Sequence, residues 1–370
     1  MELNYFTNLP SEITTEILSR LSIRSLAISK SVCKPWRDLL KSDDFVVSKI
    51  KTPPALVRLT SSRWCNSTRC TIFEIEDVDN LESHDLHYHP LTDFKIKGLM
   101  EGYRVRKHCV AANGLLLIYS RFSTPFYICN PITREYTKLY CPVRPDHVMR
   151  FGFGVSEISG QYKVVCINSF PKSNLHYVYT LGTGTWRRLE GGRISGFEFY
   201  PVGCTVCNGN LHWIVVDSSH MQWICGFDLE TERFSVFSLP LVGISEGELS
   251  VLRDCLCYSY YNECQDEILI WMMKKYQVNE SWTIEYKMST TTFGTSFYRY
   301  TPVEAIKLFK DGDVLMLLAR SSLFYYSNRT RTLQQVDMLK DANEKKGYPL
   351  IFNPSLLSLK NFGFENVISF

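Results

Sequence analysis

Hydrophobic side chains recur at helical spacing near the start of the chain. Ile13, Ile17 and Leu21 follow one another at intervals of four residues, and Leu18 lies three residues before Leu21. Polar residues fill the positions between them, so the pattern predicts an amphipathic helix. Pro10 is expected in its first turn, where a missing N–H is not needed, and Asn8 or Ser11 is expected to cap the nearby amides.

Two further short helices are predicted after this one. The second runs from about Arg24 to Lys30, and the third from about Lys34 to Leu40 with Pro35 near its first turn. Helices of this size bury little surface, so we expect their apolar residues to be shared between a small core and a partner. The predicted domains are residues 1–50, a stiff Pro-containing linker at 51–54, and a second domain at 55–370.

Beyond residue 55 the hydrophobic period changes from helical spacing to two. Short runs rich in Val, Ile, Tyr, Phe and Trp alternate with Gly, Asn, Asp and Ser, which is typical of strands joined by turns. Three hairpin-turn dipeptides each precede a predicted strand, at Asn113-Gly114, Asn208-Gly209 and Asp311-Gly312. The second domain is therefore predicted to be almost entirely β.

Five segments of this β region align, and each predicts a strand, a polar turn and a second strand. They are NPITREYTKL from Asn130, LGTGTWRRL from Leu181, DLETERFSVFSLP from Asp228, VNESWTIEYKM from Val278 and SNRTRTLQQV from Ser327. Equivalent positions are separated by 50, 48, 48 and 51 residues and are Tyr136, Trp186, Phe234, Trp282 and Leu333.

A period of about 50 residues is typical of the four-stranded blades of a kelch-like β-propeller. The sequence therefore predicts a propeller of about six blades. Residues 55–75 and 110–119 are expected to supply another blade and to help close the ring with residues 350–359. An irregular β-sandwich is the alternative that the pattern leaves open.

Composition and charge give no support to nucleic-acid or membrane binding. Hydrophobic residues make up 45% and charged residues 21% of the 370 residues, close to globular averages. The net charge of +3 is too small for the basic stripe that a phosphate backbone requires. The first residues lack the apolar run of a secretory signal, and the longest aliphatic run, near residues 314–319, is too short to cross a bilayer.

The chain has thirteen cysteines and no secretory signal, and an odd number of cysteines does not suit a disulfide framework. We therefore expect reduced thiols and a protein of the nucleus, the cytoplasm or both. Cys204 and Cys207 form a CxxC pair near His212, but the second half of a zinc site is missing, so we predict no metal. The usual motifs of hydrolases, metalloproteases and nucleotide-binding enzymes do not occur in the sequence. We predict no catalytic residue and no cofactor.

The helical region strongly resembles an F-box. The resemblance lies in LPSEI from Leu9, EILSRL from Glu16 and VCKPWRDLL from Val32, and it covers the whole motif in order and spacing. Ser22 is a departure, since many relatives have proline there. The β region resembles the F-box-associated domains of a large plant family, in GFGVSEISGQYKVVCI from Gly152, CNGNLHWIV from Cys207 and FDLETERFSVFSLP from Phe227.

The resemblance implies a substrate-recognition subunit of an SCF-type ubiquitin ligase that does no chemistry itself. In the family the F-box binds a Skp-type adaptor, which links it to a cullin and a RING subunit, while the β domain binds a protein substrate, here unknown. Proximity alone then promotes ubiquitin transfer. By resemblance, adaptor contact is expected from Leu9, Pro10, Ile13, Ile17, Leu18, Leu21, Leu26, Val32, Cys33 and Trp36.

Trp36 is expected to contribute most, because a large aromatic residue in a desolvated interface commonly contributes more than about 2 kcal/mol. Packing in the helical core is the alternative role, notably for Ile17 and Leu18. The excess of basic residues between Arg20 and Lys41 either steers an acidic partner or forms a solvated face. Two other functions stay open: an F-box scaffold that holds the adaptor without cullin, and a propeller enzyme with residues from distant blades.

Overall fold

The structure is a computed structural model of the full chain. It describes residues 9–42, 54–61, 67–75, 88–97, 107–120, 123–141, 149–168, 175–190, 194–200, 203–240, 247–290, 301–320, 322–336 and 349–370. Asn8, proposed as a helix cap, and residues 51–53 of the predicted linker lie outside these ranges.

Three short helices form the N-terminal part, as predicted. They are α1 (Ser11–Ser19), α2 (Ile23–Ser29) and α3 (Lys34–Leu39). Pro35 lies in the first turn of α3, where its missing N–H leaves no hydrogen bond unmade. The prediction for Pro10 was wrong by one position, because Pro10 precedes α1 with an extended backbone and contributes its carbonyl to the N–H of Thr14 at 3.0 Å.

Ser22 has a clear role at the start of α2. Its side-chain oxygen accepts a hydrogen bond from the N–H of Ser25 at 3.3 Å, which satisfies one of the amides left free at a helix N-terminus. The serine that departs from the usual proline therefore supplies a cap. At α1, by contrast, none of the described side chains caps the helix, and Ser11 is its first residue and not its cap.

The rest of the described chain forms antiparallel strands. The first three sheets contain β1 (Ala55–Ser61), β2 (Ser67–Ile75) and β3 (Tyr88–Lys97); β4 (Lys107–Ala112), β5 (Leu115–Ser120), β6 (Ser123–Asn130) and β7 (Glu135–Leu139); and β8 (Met149–Val155), β9 (Tyr162–Asn168), β10 (Leu175–Thr180) and β11 (Trp186–Glu190).

Three more sheets follow in the same way along the chain. They contain β12 (Glu198–Phe199), β13 (Thr205–Cys207), β14 (Asn210–Val216), β15 (Gln222–Asp228) and β16 (Phe234–Ser238); β17 (Glu248–Leu252), β18 (Cys255–Asn262), β19 (Glu267–Met273) and β20 (Trp282–Ser289); and β21 (Val303–Leu308), β22 (Val314–Leu318), β23 (Ser322–Ser327) and β24 (Thr332–Val336). In the fourth sheet, β12 and β13 both pair with β14.

Two C-terminal strands return to the beginning of the β region. β25 (Pro349–Phe352) pairs with β1, where Phe352 lies opposite Ala55, and β26 (Ile368–Ser369) pairs with β7. The first sheet therefore receives its fourth strand from the other end of the chain. Residues 55–75 and 110–119 were expected to share one blade, and this was wrong: they belong to the first and second sheets.

A separate hydrophobic cluster lies between each pair of neighbouring sheets. Each cluster unites residues of two sheets, for example Val57 with Leu116, Leu117 with Phe151, Val165 with Trp213, Ile224 with Tyr258, Ile270 with Met316, and Leu315 with Leu56. The last pair joins the sixth sheet to the first, so the ring is closed. The β domain is a six-bladed propeller, because a sandwich would bury one core between two sheets.

The repeat seen in the sequence corresponds to the last strand in each blade's run of consecutive strands. The five equivalent positions, from Tyr136 to Leu333, are first or second residues of β7, β11, β16, β20 and β24. The three turn dipeptides join β4 to β5, β13 to β14 and β21 to β22. Asn113 and Asn208 adopt the positive φ values of 32° and 50° that such turns require. The predicted repeat is confirmed.

Glycines in the third blade allow the fourth blade to approach closely. A Cβ on Gly152 would lie 2.5 Å from the Trp213 ring, and a Cβ on Gly154 would lie 2.6 Å from Leu229. Trp213 is 1% exposed and packs with its ring edge towards Phe199. The Gly-Phe-Gly segment is therefore a packing requirement between blades.

Candidate functional site

The three N-terminal helices expose an unusual number of large aliphatic side chains. Ile13 and Ile17 lie one turn apart on α1 and are 48% and 41% exposed, and Val32 after α2 is 54% exposed. Pro10 is also exposed. These are four of the ten residues predicted to contact an adaptor, and each has apolar surface available for a partner.

Other predicted contact residues lie inside the helical unit. Leu18 and Leu26 are fully buried, and Trp36 is only 8% exposed. They share one hydrophobic cluster with Ile23 and Leu40. Leu9, Leu21 and Cys33 have intermediate exposure and border the two groups.

The buried side of the helices is continuous with the propeller. The cluster that contains Leu18, Leu26 and Trp36 also contains residues of the second and third blades and of the C-terminal segment, including Leu115 and Leu357. A unit of this size has little core of its own, so packing against the propeller completes it.

Opposite charges, on Lys30 after α2 and on Glu135 of the second blade, influence each other across this packing. Burial lowers the pKa of Lys30, the Glu135 carboxylate opposes that shift, and Lys41 adds to it. Glu135 is 9% exposed and accepts hydrogen bonds from the Ser358 hydroxyl at 2.9 Å and the Leu359 N–H at 2.8 Å. The C-terminal segment therefore fixes the carboxylate whose charge acts on Lys30.

Ile28 is a candidate contact residue that sequence reasoning missed. It is 65% exposed, more than Ile13, Ile17 or Val32. Leu26, two positions earlier in α2, points into the core, so Ile28 faces the opposite side. An isoleucine out of phase with the buried positions of its helix was the available signal.

Basic side chains surround this apolar surface. Arg20 pairs with Glu16 at 2.5 Å, and because both side chains are well exposed, the pair adds little stability. The other basic residues with exposed side chains in this region are Arg24, Lys34, Arg37 and Lys41. The predicted excess of positive charge is therefore presented to solvent, apart from the partly buried Lys30.

The CxxC pair of the fourth blade is part of the propeller structure. His212 is fully buried; its Nε2 lies 2.8 Å from the Tyr276 hydroxyl and its Nδ1 lies 3.3 Å from the Thr205 carbonyl. Burial lowers the pKa of His212 to about 4, so it is neutral at pH 7. Within the described ranges, no group of three or more His, Cys, Asp or Glu residues could hold a metal ion.

Arg320 pairs with Glu248 where the fifth and sixth blades meet, and a second carboxylate, Glu304, lies in the same electrostatic environment. Arg320 donates from Nε to Oε1 of Glu248 at 2.9 Å. Burial, and then the negative charge of Glu248, raises the pKa of Glu304 to about 8, while Arg320 opposes the shift. Because this pKa lies above 7, Glu304 keeps its proton at neutral pH. The pair joins β17 to the neighbouring blade.

Comparison with known proteins agrees with both parts of the chain. A model of the F-box domain matches residues 6–48, which include the three helices. A model of the F-box associated β-propeller domain matches residues 70–359, which is more than half of the chain. The chain belongs to the family of F-box proteins with an F-box associated β-propeller. None of its described helices is long and apolar enough to cross a membrane.

Relatives of this F-box protein occur in Arabidopsis thaliana. The F-box protein CPR1 is 25% identical, with 95% of this chain and 89% of the relative covered. An F-box/kelch-repeat protein is 25% identical, with 86% and 88% covered. Another F-box protein is 26% identical over 74% of this chain, and there the match spans only 61% of the relative's length.

A solved structure of a luciferin-regenerating enzyme is a much more distant neighbour. It has a TM-score of 0.38 and 10% sequence identity, with 62% of this chain and 74% of that chain covered. No functional conclusion follows for this F-box protein from so weak a likeness.

Proposed function

We propose that this F-box protein is the substrate-recognition subunit of an SCF-type ubiquitin ligase. The observation that carries the proposal is the arrangement of the F-box helices: one side packs into the propeller cluster, and the other exposes Ile13, Ile17 and Val32. Apolar side chains that remain exposed on a packed unit are typical of a protein interface. Membership of the F-box family supports a Skp-type adaptor as the partner.

In this proposal the predicted contact residues have two main roles, direct contact and support, and three of the ten lie at the border between them. Pro10, Ile13, Ile17 and Val32 contact the adaptor directly, with Ile28 as an addition. Leu9, Leu21 and Cys33 contribute at the border. Leu18, Leu26 and Trp36 hold the helices in position through the cluster shared with the propeller, so their replacement weakens adaptor binding indirectly. The exposed basic residues raise the association rate with an acidic adaptor surface, an effect that salt reduces.

In the proposed complex the adaptor links the chain to a cullin and a RING subunit, and the propeller holds a protein substrate. The chain needs no catalytic side chain for this, because tethering a substrate lysine near the charged conjugating enzyme raises its effective concentration. We place the protein in the nucleus, the cytoplasm or both, which a fluorescent fusion expressed in plant cells would test.

The test is co-purification of the full chain with a plant Skp-type adaptor and a cullin. The variant Ile13→Asp/Ile17→Asp places charge in the proposed contact. The matched control is Ile284→Asp, because Ile284 lies on β20 of the fifth blade and is also 48% exposed. We expect the wild type and the control to capture both proteins and the double variant to capture neither.

The other outcomes separate the alternatives. Capture of the adaptor without cullin would indicate the scaffold function. Turnover of a small molecule by the purified chain alone would indicate an enzyme. Equal capture by the double variant and the control would show that the exposed isoleucines are not the docking surface, and the proposal would fail.

A further inference from the structure

Two cysteines of neighbouring blades lie side by side. Cys141 follows the end of β7 in the second blade, and Cys166 lies in the middle of β9 in the third blade. Their Sγ atoms are 3.6 Å apart, close to van der Waals contact, and no disulfide joins them. Cys166 is fully buried, whereas Cys141 is partly exposed.

One of the two thiols is fixed and the other can adjust. Cys166 is paired on both sides, opposite Phe151 of β8 and Tyr177 of β10. Cys141 lies beyond the last paired residue of β7, Leu139, so a small backbone movement there breaks no strand pairing. A disulfide requires a sulfur–sulfur distance of about 2.05 Å, which is a short closure from the observed contact.

Neighbouring contacts hold the two thiols together. The Tyr140 carbonyl accepts a hydrogen bond from the Trp186 indole Nε1 at 2.8 Å, which ties the end of the second blade to the outer strand of the third. Cys141 also packs against the hydrophobic cluster that contains Cys166. The approach of the thiols is therefore built into the packing between the blades.

We propose that Cys141 and Cys166 form a reversible disulfide that links the second and third blades when the protein meets an oxidant such as glutathione disulfide. The inference stands on the contact geometry and is independent of the adaptor proposal. It adds a modification site to a chain in which thiols are otherwise expected to be reduced.

The exposure of the two thiols sets the order of the reaction. The Cys141 thiolate attacks glutathione disulfide, forming a mixed disulfide and releasing one glutathione thiolate. The Cys166 thiol then loses its proton, and its sulfur attacks Sγ of Cys141, which displaces the second glutathione thiolate. The two protein thiols lose two protons and two electrons in total, and one glutathione disulfide is reduced to two glutathiones.

The second step is expected to limit the rate. Burial, and then the contact with Cys141, raises the pKa of the Cys166 thiol well above its usual value. Its thiolate is therefore scarce at neutral pH, and disulfide formation should become faster as the pH rises from 7 to 9. The mixed disulfide on Cys141 should be detectable before the internal disulfide appears.

The test treats the reduced full chain with glutathione disulfide, alkylates the remaining thiols and maps the peptides by mass spectrometry. We expect a linked peptide pair containing Cys141 and Cys166, about 2 Da lighter than the sum of the reduced peptides. Dithiothreitol should reverse it. The oxidised protein should unfold about 5 °C higher, because a crosslink over this loop restricts the unfolded chain.

Matched variants keep the inference falsifiable. Cys141→Ser alters the partly exposed partner, so folding should be retained while the linked pair disappears; Cys264→Ser removes an exposed cysteine of the fifth blade and should leave the pair intact. The inference is overturned if Cys141 stops at the glutathione adduct in the wild type. It is also overturned if the linked peptides contain other cysteines, or if the pair persists in Cys141→Ser.

Discussion

The structure predicts different effects on folding for two F-box residues that the sequence motif treats alike. Trp36 is 8% exposed within the cluster shared with the propeller. A buried aromatic ring removes about 150–250 Å² from water, which at about 25 cal/mol per Å² corresponds to roughly 4–6 kcal/mol. Trp36→Ala should therefore destabilise the F-box helices by about 3–5 kcal/mol, the usual cost of such a replacement.

Ile17→Ala should have a much smaller effect on folding. Ile17 is 41% exposed, so truncation removes about 1 kcal/mol of burial. The higher helix propensity of alanine offsets about 0.4 kcal/mol of this loss. The net cost to the helices is about 0.5–1 kcal/mol, whereas loss of a central interface contact should weaken adaptor binding by more than about 2 kcal/mol, or roughly 30-fold.

Hydrogen–deuterium exchange separates these effects, because it reports local opening of α1 to α3 without interference from the propeller. Trp36→Ala should accelerate exchange in these helices by about 100-fold or more, and Ile17→Ala by less than about 10-fold. Adaptor affinity, measured by calorimetry, should fall in both variants. If Trp36→Ala keeps wild-type exchange protection and still loses the adaptor, then Trp36 contacts the adaptor directly and the division into two roles is wrong.

Two further predictions concern the propeller. A chain that ends before Pro349 lacks β25, the inner strand of the first blade, and should not give a cooperative melt by circular dichroism. A chain that ends after Phe362 loses only β26 and the residues beside it, and it should still melt cooperatively. His176 and His212 are buried, and burial lowers the pKa of each to about 4, so both are neutral in the folded protein. Their contribution to stability is complete above the unfolded pKa of about 6.5 and is lost as the pH falls towards 4, at up to about 1.4 kcal/mol per pH unit for each. Urea unfolding at pH 7 and pH 5 should show this loss, and His212→Gln should reduce it; an unchanged pH dependence would contradict the assignment.

Local sequence was sufficient for much of the fold. The spacing of apolar residues and the position of Pro35 predicted the helices. The recurrent strands that begin at Trp186, Phe234 and Trp282 predicted the blades. These signals depend on residues close together in the chain. The first blade gave no such signal, because its fourth strand, at Pro349–Phe352, comes from the opposite end of the β region.

The sequence motif suggested candidate contact residues but did not indicate which of their side chains are exposed. The motif selected Trp36 and Ile17 together, and only packing against the second blade and the C-terminal segment distinguishes them. Ile28 was missed for the same reason, since its exposure depends on which side of α2 meets the propeller. The adaptor contacts themselves remain predictions.

The C-terminal segment connects closure of the ring with the position of the F-box. Asn130 donates from Nδ2 to the carbonyls of Ser355 at 3.1 Å and Leu357 at 2.7 Å, and Glu135 accepts from the Leu359 N–H. Leu357 and Leu359 belong to the cluster that also holds the F-box core. An adaptor bound to the exposed side of the helices would therefore hold the propeller in one orientation. Under the proposed function, the effective concentration of a substrate lysine would then depend on this packed contact more than on the length of the linker, because a fixed geometry confines the substrate better than a flexible tether.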